Sequence, residues 1–348
     1  MHRGGQRARA ALEEARAILR KVVGAGEHDT VVFTSGATEA NNMVVQAAAK
    51  QGGRLVASQI EHPCVLGPLA QCERHGAKVV LVAPDREGVV SVDAVRAAIT
   101  PDTALVSIML ANNEVGTINP IAEIVAEVKA IAPQAIVHSD AAQALGKISC
   151  SMADLGVDAL TVSAHKVGGL AGVGALILRK GLEVPALILG GPQEGKLRGG
   201  TENVLGIRVF GEVLKLLARE GDERRQRMAR MRDLFEESIL RELSDVSVHG
   251  LNRVRLPNTS NIYIGGVRAD DLVVAMDLEG ILISSGSACS SGKPEPSHVL
   301  LAMGYDEEHV RATIRVSFRA DSEESDIRRL VESLVKAVSR MRAVTQAA

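Results

Sequence analysis

The chain has 348 residues, a formal net charge of −2, 46% hydrophobic residues and 24% charged ones. That length suits one large domain with a smaller companion, and that apolar content excludes wholesale disorder. The near-neutral balance, the 2% of aromatics and the lack of Trp argue against nucleic-acid binding, whether by a basic patch or by base stacking.

No apolar run of about 18 residues occurs, so no transmembrane helix is expected. Met1-His2-Arg3-Gly4-Gly5-Gln6-Arg7 is basic but lacks the apolar core of a secretory signal, and a cytoplasmic location is the expectation. Four cysteines, Cys64, Cys72, Cys150 and Cys289, form no CxxC pair. This disfavours a zinc site, a thioredoxin-like motif and a disulfide framework, and at least three of the four are expected to be small buried hydrophobes. No metal site is expected.

In chain order, residues 7–23 show apolar residues at helical spacing among charges and predict an amphipathic helix. Strands are expected at 30–34, 54–58, 78–82, 104–110, 135–139, 159–163 and 174–178, with helices at 39–49, 92–99 and 122–131 between several of them. Apolar strands alternating with helices imply an α/β class with a mostly parallel seven-stranded sheet covered on both faces. The pattern changes after about residue 204. A long charged helix at 209–242, broken at Gly221-Asp222, precedes short strands at 246–249, 260–264, 281–284 and 313–317 and a last helix after Asp321. This part reads as a small α+β domain. The boundary is placed in the long helix, giving a large domain over 1–220 and a small one over 221–348.

Ligands of open parallel sheets bind beyond the carboxyl ends of the strands. Those ends carry most of the chain's reactive polar groups. Thr34-Ser35-Gly36-Ala37-Thr38-Glu39 turns from a strand into a helix, a ready anion site, although an ordinary helix cap has the same look. Ser163-Ala164-His165-Lys166 places a lysine at a strand end, where it is a candidate Schiff-base former rather than a solvated charge. Asp140 closes another strand, where it could pair with a pyridinium nitrogen or merely cap a helix, and Gln143 could donate to a phenolic oxygen. His62 could stack on a ring or shuttle protons; alone it would be a structural or surface histidine. Ser284 to Gly292 is rich in Ser and Gly and presents Cys289 among small polar neighbours, which favours a reactive thiol on a moving loop. Two patterns are rejected. Gly190 to Lys196 spells GxxxxGK, but Leu197 stands where a P-loop needs Ser or Thr. The spacing of His298 and His309 fits no common zinc pattern.

Seven ordered motifs span nearly the whole chain: TSGATEANN at 34–42, EHPCVL at 61–66, NNEVG at 112–116, HSDAAQALGK at 138–147, SAHK at 163–166, RGGTEN at 198–203 and SSGSACSSGKPEPSHVL at 284–300. On these the chain resembles cysteine desulfurases of the NifS/IscS type, class-V aminotransferases with the aspartate-aminotransferase-like fold. The resemblance implies pyridoxal 5′-phosphate as cofactor, carried by Lys166. It implies that His62 stacks on the ring, Asp140 contacts its nitrogen and Gln143 its phenolic oxygen. Ala37, Thr38, Ser163 and His165 would hold the phosphate, and Thr201 would reach the phosphate of a partner subunit in a homodimer. Asn113 matches a position tied to both cofactor and substrate, and Arg315 one tied to the substrate carboxylate, which suits its fork of donors. The implied reaction takes sulfur from L-cysteine, leaving L-alanine and a persulfide on Cys289. The loop then passes the sulfur to an acceptor such as an iron–sulfur scaffold protein.

Three features depart from the family pattern. An Asn-Ala-Ala-Thr-Thr stretch and an Asn-Pro-Ser-Ser loop are not found, Met1-His2 standing where that loop would end. Gln193-Glu194-Gly195 replaces Gln-Glu-Arg, and Gly168-Gly169-Leu170 stands where Gly-Pro is common. The last two are expected to alter loop shape rather than chemistry. Two alternatives stay open: a selenocysteine lyase with the same fold and cofactor, and an inactive chain that, without that stretch and loop, serves only as a dimerising module.

Overall fold

In the computed structural model the described residues are 2–286 and 295–347. The chain opens with α1 (Arg3–Val22), β1 (Thr30–Thr34), α2 (Ala37–Gln51), β2 (Arg54–Ser58), α3 (Pro63–Arg74), β3 (Lys78–Val82) and α4 (Val92–Ala98). It continues through β4 (Thr103–Ser107), α5 (Ile121–Ile131), β5 (Ile136–Asp140), α6 (Met152–Leu155), β6 (Ala159–Ser163), β7 (Gly174–Leu178) and α7 (Val204–Glu242). Then come β8 (Val246–Val248), β9 (Thr259–Ile264), α8 (Ala269–Leu278), β10 (Ser284–Ser285), α9 (His298–Ala302), α10 (Glu307–Arg311), β11 (Thr313–Ser317) and α11 (Glu324–Ala347).

Two compact units result. One comprises Met1–Ala83, Val90–Ala111 and Asn119–Gly221; the other comprises Pro84–Val89, Asn112–Ile118 and Asp222–Ala348. Two short segments inside the first 220 residues thus pack with the C-terminal unit.

The first unit is built on a seven-stranded sheet in the order β1-β7-β6-β5-β4-β2-β3. Neighbours from β6 to β3 are parallel, whereas β7 runs antiparallel to both β6 and β1. β4, β5, β6 and β7 are buried along their whole length, as apolar strands covered on both faces must be. β3 closes one edge and is more exposed, with Lys78 at its start. Val32, Met43, Val44, Leu55, Leu105 and Leu176 lie in one core cluster, so α2 covers the strands with its apolar side.

α7 runs unbroken, which corrects the expected break at Gly221-Asp222. One interior glycine costs a helix only about 1 kcal/mol. Phe210 and Leu214 are buried before it and Met231 and Phe235 after it, so packing on each side outweighs that cost.

The second unit holds an antiparallel sheet, β10-β11-β9-β8. Phe235, Ile239, Ile262, Leu272, Ile314 and Leu334 meet in its core. The strand expected at 281–284 shrinks to Ser284–Ser285, with Leu282 85% exposed just before it. Glu236 on α7 is buried and accepts from Arg255 Nη1 at 2.7 Å, Arg255 Nη2 at 2.8 Å and Ser260 Oγ at 2.6 Å, so its charge is paired and its lone pairs are used.

Candidate active site

β1 runs parallel to β6, because each is antiparallel to β7. The carboxyl ends of β1, β2, β5 and β6 therefore share one edge of the sheet, and the residues after them are the site candidates.

At the end of β1 the chain turns tightly into α2. A Cβ on Gly174 would come within 2.7 Å of Gly36 Cα, so only glycine lets the turn lie against β7. Ala37 and Thr38 are the first residues of α2, and the N-cap, Gly36, supplies no side-chain hydrogen bond to them. A Cβ added at Gly36 would stand in open space. The start of α2 is thus an uncapped helix N-terminus facing room, with the dipole set for an anion. Glu39 braces the turn: its carboxylate accepts Ser35 N–H at 2.9 Å and Arg198 Nε–H at 3.0 Å.

At the end of β6, Ser163 is fully buried and its Oγ lies 2.9 Å from His165 Nδ1. Register pairs Ser163 with Gly174, and Gly174 abuts Gly36 and Ala37, so the hydroxyl and the helix start are neighbours. His165 and Lys166 are exposed on a single 3₁₀ turn, Ala164–Val167, closed by Gly168 at φ +93°. That left-handed conformation favours glycine. Burial first, and Lys166 beside it second, hold the His165 imidazole below its ordinary pKa.

At the end of β5, Asp140 is 5% exposed. Its Oδ1 accepts Ala142 N–H at 2.8 Å and its Oδ2 accepts Asn41 Nδ2–H at 2.6 Å. Burial raises its carboxyl above the usual range, while these N–H donors, then His62 and Lys166, pull the other way. Asp140 thus lies within electrostatic reach of both His62 and Lys166. Gln143 Oε1 accepts from Lys147 Nζ at 3.0 Å, which turns the amide so that its N–H₂ is left to donate.

After β2, His62 is the N-cap of α3, and its Nδ1 accepts Cys64 N–H at 3.1 Å. Cys64 was expected as an inert buried hydrophobe. It is buried, yet its Sγ lies 2.9 Å from His62 Nδ1 and 3.0 Å from Asn41 Nδ2. Burial pushes this thiol up to about 12.

In the second unit, Asn112 Oδ1 accepts Glu114 N–H at 2.8 Å and Val115 N–H at 3.0 Å, which shapes the NNEVG loop. Arg315 Nη1 donates to Asn113 O at 3.0 Å, so these two candidates are in contact. Buried Glu114 accepts from Ser297 Oγ at 2.5 Å and feels His298 and Arg315. Thr201 is exposed ahead of α7 and lines a cleft with Arg9, Arg16 and Glu194. Cys289 lies outside the described residues.

Sequence reasoning gave no role to Asn41, Arg198, Lys147 or Glu61. All four sit inside the quoted motifs, so their position was visible but not their partners. Glu61 is fully buried; its Oε1 accepts Ser58 Oγ–H at 2.5 Å and Met109 N–H at 2.8 Å, and burial pushes its carboxyl up to about 8. Among the described residues no three His, Cys, Asp or Glu side chains gather as a metal site.

This donor set fits a phosphate-bearing pyridine aldehyde. The uncapped helix and Ser163 suit the phosphate, Lys166 supplies a primary amine, and the buried Asp140 carboxylate suits a cationic ring nitrogen.

Comparison with known proteins agrees in kind. Residues 1–330 match the family model for aminotransferase class-V. The chain is 39% identical to the cysteine desulfurase IscS of Dictyoglomus turgidum, over 99% of this chain and 88% of that protein. Among solved structures, a NifS-like protein superposes with a TM-score of 0.90 at 32% identity, covering 97% of this chain and 90% of that one. A structure of SspA in complex with cysteine superposes with a TM-score of 0.79 at 33% identity, covering 92% and 90%.

Proposed function

Because the chain belongs to the aminotransferase class-V family, we propose that it is a pyridoxal-phosphate-dependent cysteine desulfurase that takes sulfur from L-cysteine and leaves L-alanine. The observation that carries the reading is Asp140: a buried carboxylate, held by two N–H donors and within reach of Lys166 and His62, is what a ring nitrogen cation would pair with. The likeness, over 99% of this chain, to a protein named cysteine desulfurase supports the substrate.

When bound, pyridoxal phosphate supplies an electron sink for charge developing at the substrate Cα. The N-terminus of α2 at Ala37 and Thr38, with Ser163 and His165, would bind the phosphate. Lys166 Nζ would hold the aldehyde and would be the base that moves the Cα proton. Asp140 would stabilise positive charge at the ring nitrogen, Gln143 would donate to the phenolic oxygen, and His62 would pack against the ring. Arg315, oriented by its bond to Asn113 O, takes the substrate carboxylate. Cys289 attacks as thiolate: its sulfur bonds to the substrate sulfur, the Cβ–S bond breaks, and the electron pair left at Cβ takes a proton to give the methyl of alanine. The sulfur stays on Cys289 as a persulfide until an acceptor protein, such as an iron–sulfur scaffold, removes it.

We place Thr201 at the partner's phosphate in a homodimer. The exposure of Leu189 at 85% and Leu205 at 70%, on either side of Thr201 in sequence, supports an apolar face covered by a second copy. No helix among the described residues is long and apolar enough to cross a membrane. The free thiols of Cys64, Cys72 and Cys150 support a reducing, cytoplasmic setting. The test is turnover of L-cysteine with a thiol reductant, reading alanine and sulfide together. The wild-type chain is expected to release both in equal amounts. Cys289→Ala is expected to keep the cofactor absorbance and to lose at least about a hundredfold in sulfide release, as removal of a nucleophile does. Wild-type rates in that variant would overturn the role of Cys289.

A further inference from the structure

Between Asp140 and His62 lie two side chains to which the mechanism gives no part. Asn41, on α2, is fully buried. Its Nδ2 donates to Asp140 Oδ2 at 2.6 Å and to Cys64 Sγ at 3.0 Å. Cys64 Sγ in turn lies 2.9 Å from His62 Nδ1.

The direction of donation is set by chemistry. A carboxylate only accepts, so the amino end of the Asn41 amide must face Asp140. The second N–H of the same nitrogen points at the Cys64 sulfur, which therefore accepts. The thiol and His62 Nδ1 face each other at 2.9 Å. That nitrogen carries no proton of its own, because Cys64 N–H already points at it from 3.1 Å. The ring proton of His62 sits on Nε2. The thiol keeps its proton at any ordinary pH, its pKa being pushed by burial up to about 12.

Asn41 Oδ1 is buried and has no hydrogen-bond partner among the described residues. Burying an acceptor unpaired costs stability that an apolar side chain would not. Asn41 is thus badly placed for stability alone and well placed for the carboxylate beside it.

We propose that Asn41 and Cys64 are positioning residues that join Asp140 to His62 and hold the carboxylate and the imidazole in one orientation for the cofactor ring. This rests on the pyridoxal-phosphate reading above. Neither side chain touches the reacting atoms; both act through Asp140 and His62.

The experiment strips the purified protein of cofactor and titrates it with pyridoxal phosphate, following the absorbance of the bound cofactor and its change with pH. Thermal unfolding of each cofactor-free variant reports that it is folded. Asn41→Ala is expected to weaken cofactor binding about tenfold or more, the effect of one hydrogen bond to a charged group, and to move the pH midpoint of the absorbance. In an Asp140→Asn background the same substitution is expected to change binding by less than about twofold, since it acts through the carboxylate. Cys64→Ala is expected to weaken binding about threefold, with Cys64→Ser, which can accept and donate at the same place, close to wild type. If Asn41→Ala does not fold, the Cys64 pair in the two Asp140 backgrounds gives the same comparison. Unchanged binding and spectra in the variants, or losses that add in full on Asp140→Asn, would overturn the proposal while leaving the cofactor reading intact. A wild-type chain that takes up no pyridoxal phosphate would overturn that reading and this inference with it.

Discussion

Glu61 sits one residue before His62, fully buried, with its carboxyl pushed up to about 8 by burial above all, and further by the charge of Asp140. A carboxyl raised in this way disfavours a second negative charge beside Asp140. The consequence for stability has a definite sign. The folded pKa lies above the ordinary value of 4.5, so the contribution is fully present below that value and is lost as pH rises through about 8. Urea unfolding of the wild-type chain and of Glu61→Gln at about pH 5 and about pH 9 should show the wild type losing on the order of 4 kcal/mol more than the variant across that interval. Parallel pH dependence would mean that Glu61 is not protonated in the fold. At this scale the sequence was informative where a residue type is rare in its setting. Lysine, aspartate and histidine at strand ends stand out because strand ends select ligand sites. Cys64 did not, because Pro63-Cys64-Val65-Leu66 looks apolar in one dimension and its sulfur meets polar groups from 23 residues upstream.

Among the elements, the turn Gln193–Lys196 explains one departure from the family pattern. Glu194, Gly195 and Lys196 take φ of +45°, +64° and +69°, a left-handed run in which glycine at the centre avoids the penalty of a side chain. Arginine there, the usual residue, would fit this backbone less well. The run is held by Glu194, whose side chain is buried, accepting from Arg16 Nη1 at 2.9 Å and Nη2 at 3.0 Å on α1 and from Phe33 N–H at 2.8 Å on β1. Glu194→Ala leaves a largely buried guanidinium without its partner and should cost roughly 3 kcal/mol, read as a lower denaturant midpoint at unchanged slope. A loss under about 1 kcal/mol would show that this pair does not hold α1 to the sheet. Elements were the most legible level. Five of the seven large-sheet strands begin and end where apolar runs bounded by turn residues place them. β4 is shorter than its apolar run, because beyond Ser107 the segment makes no continuous ladder with β5: Ile108 N–H donates to His138 O and Leu110 N–H to Asp140 O.

Across the whole molecule, a linear boundary could not convey how the units are composed. Asn112–Ile118 joins the second unit through long-range pairing: Thr117 bridges to Arg255, Leu256 N–H donates to Gly116 O, and Arg315 donates to Asn113 O. No local pattern in NNEVG announces those partners. The motif's importance was legible, but its place in the second unit was not. In the proposed reaction, the product that stays on the protein is the sulfur left on Cys289. Mass spectrometry of the protein after brief exposure to L-cysteine reads that product directly. The proposed chemistry predicts the mass of one added sulfur on the peptide bearing Cys289, removable by a thiol reductant and absent in Lys166→Ala. Alanine accumulating while the added sulfur sits on Cys64, Cys72 or Cys150, or on no cysteine at all, would contradict it.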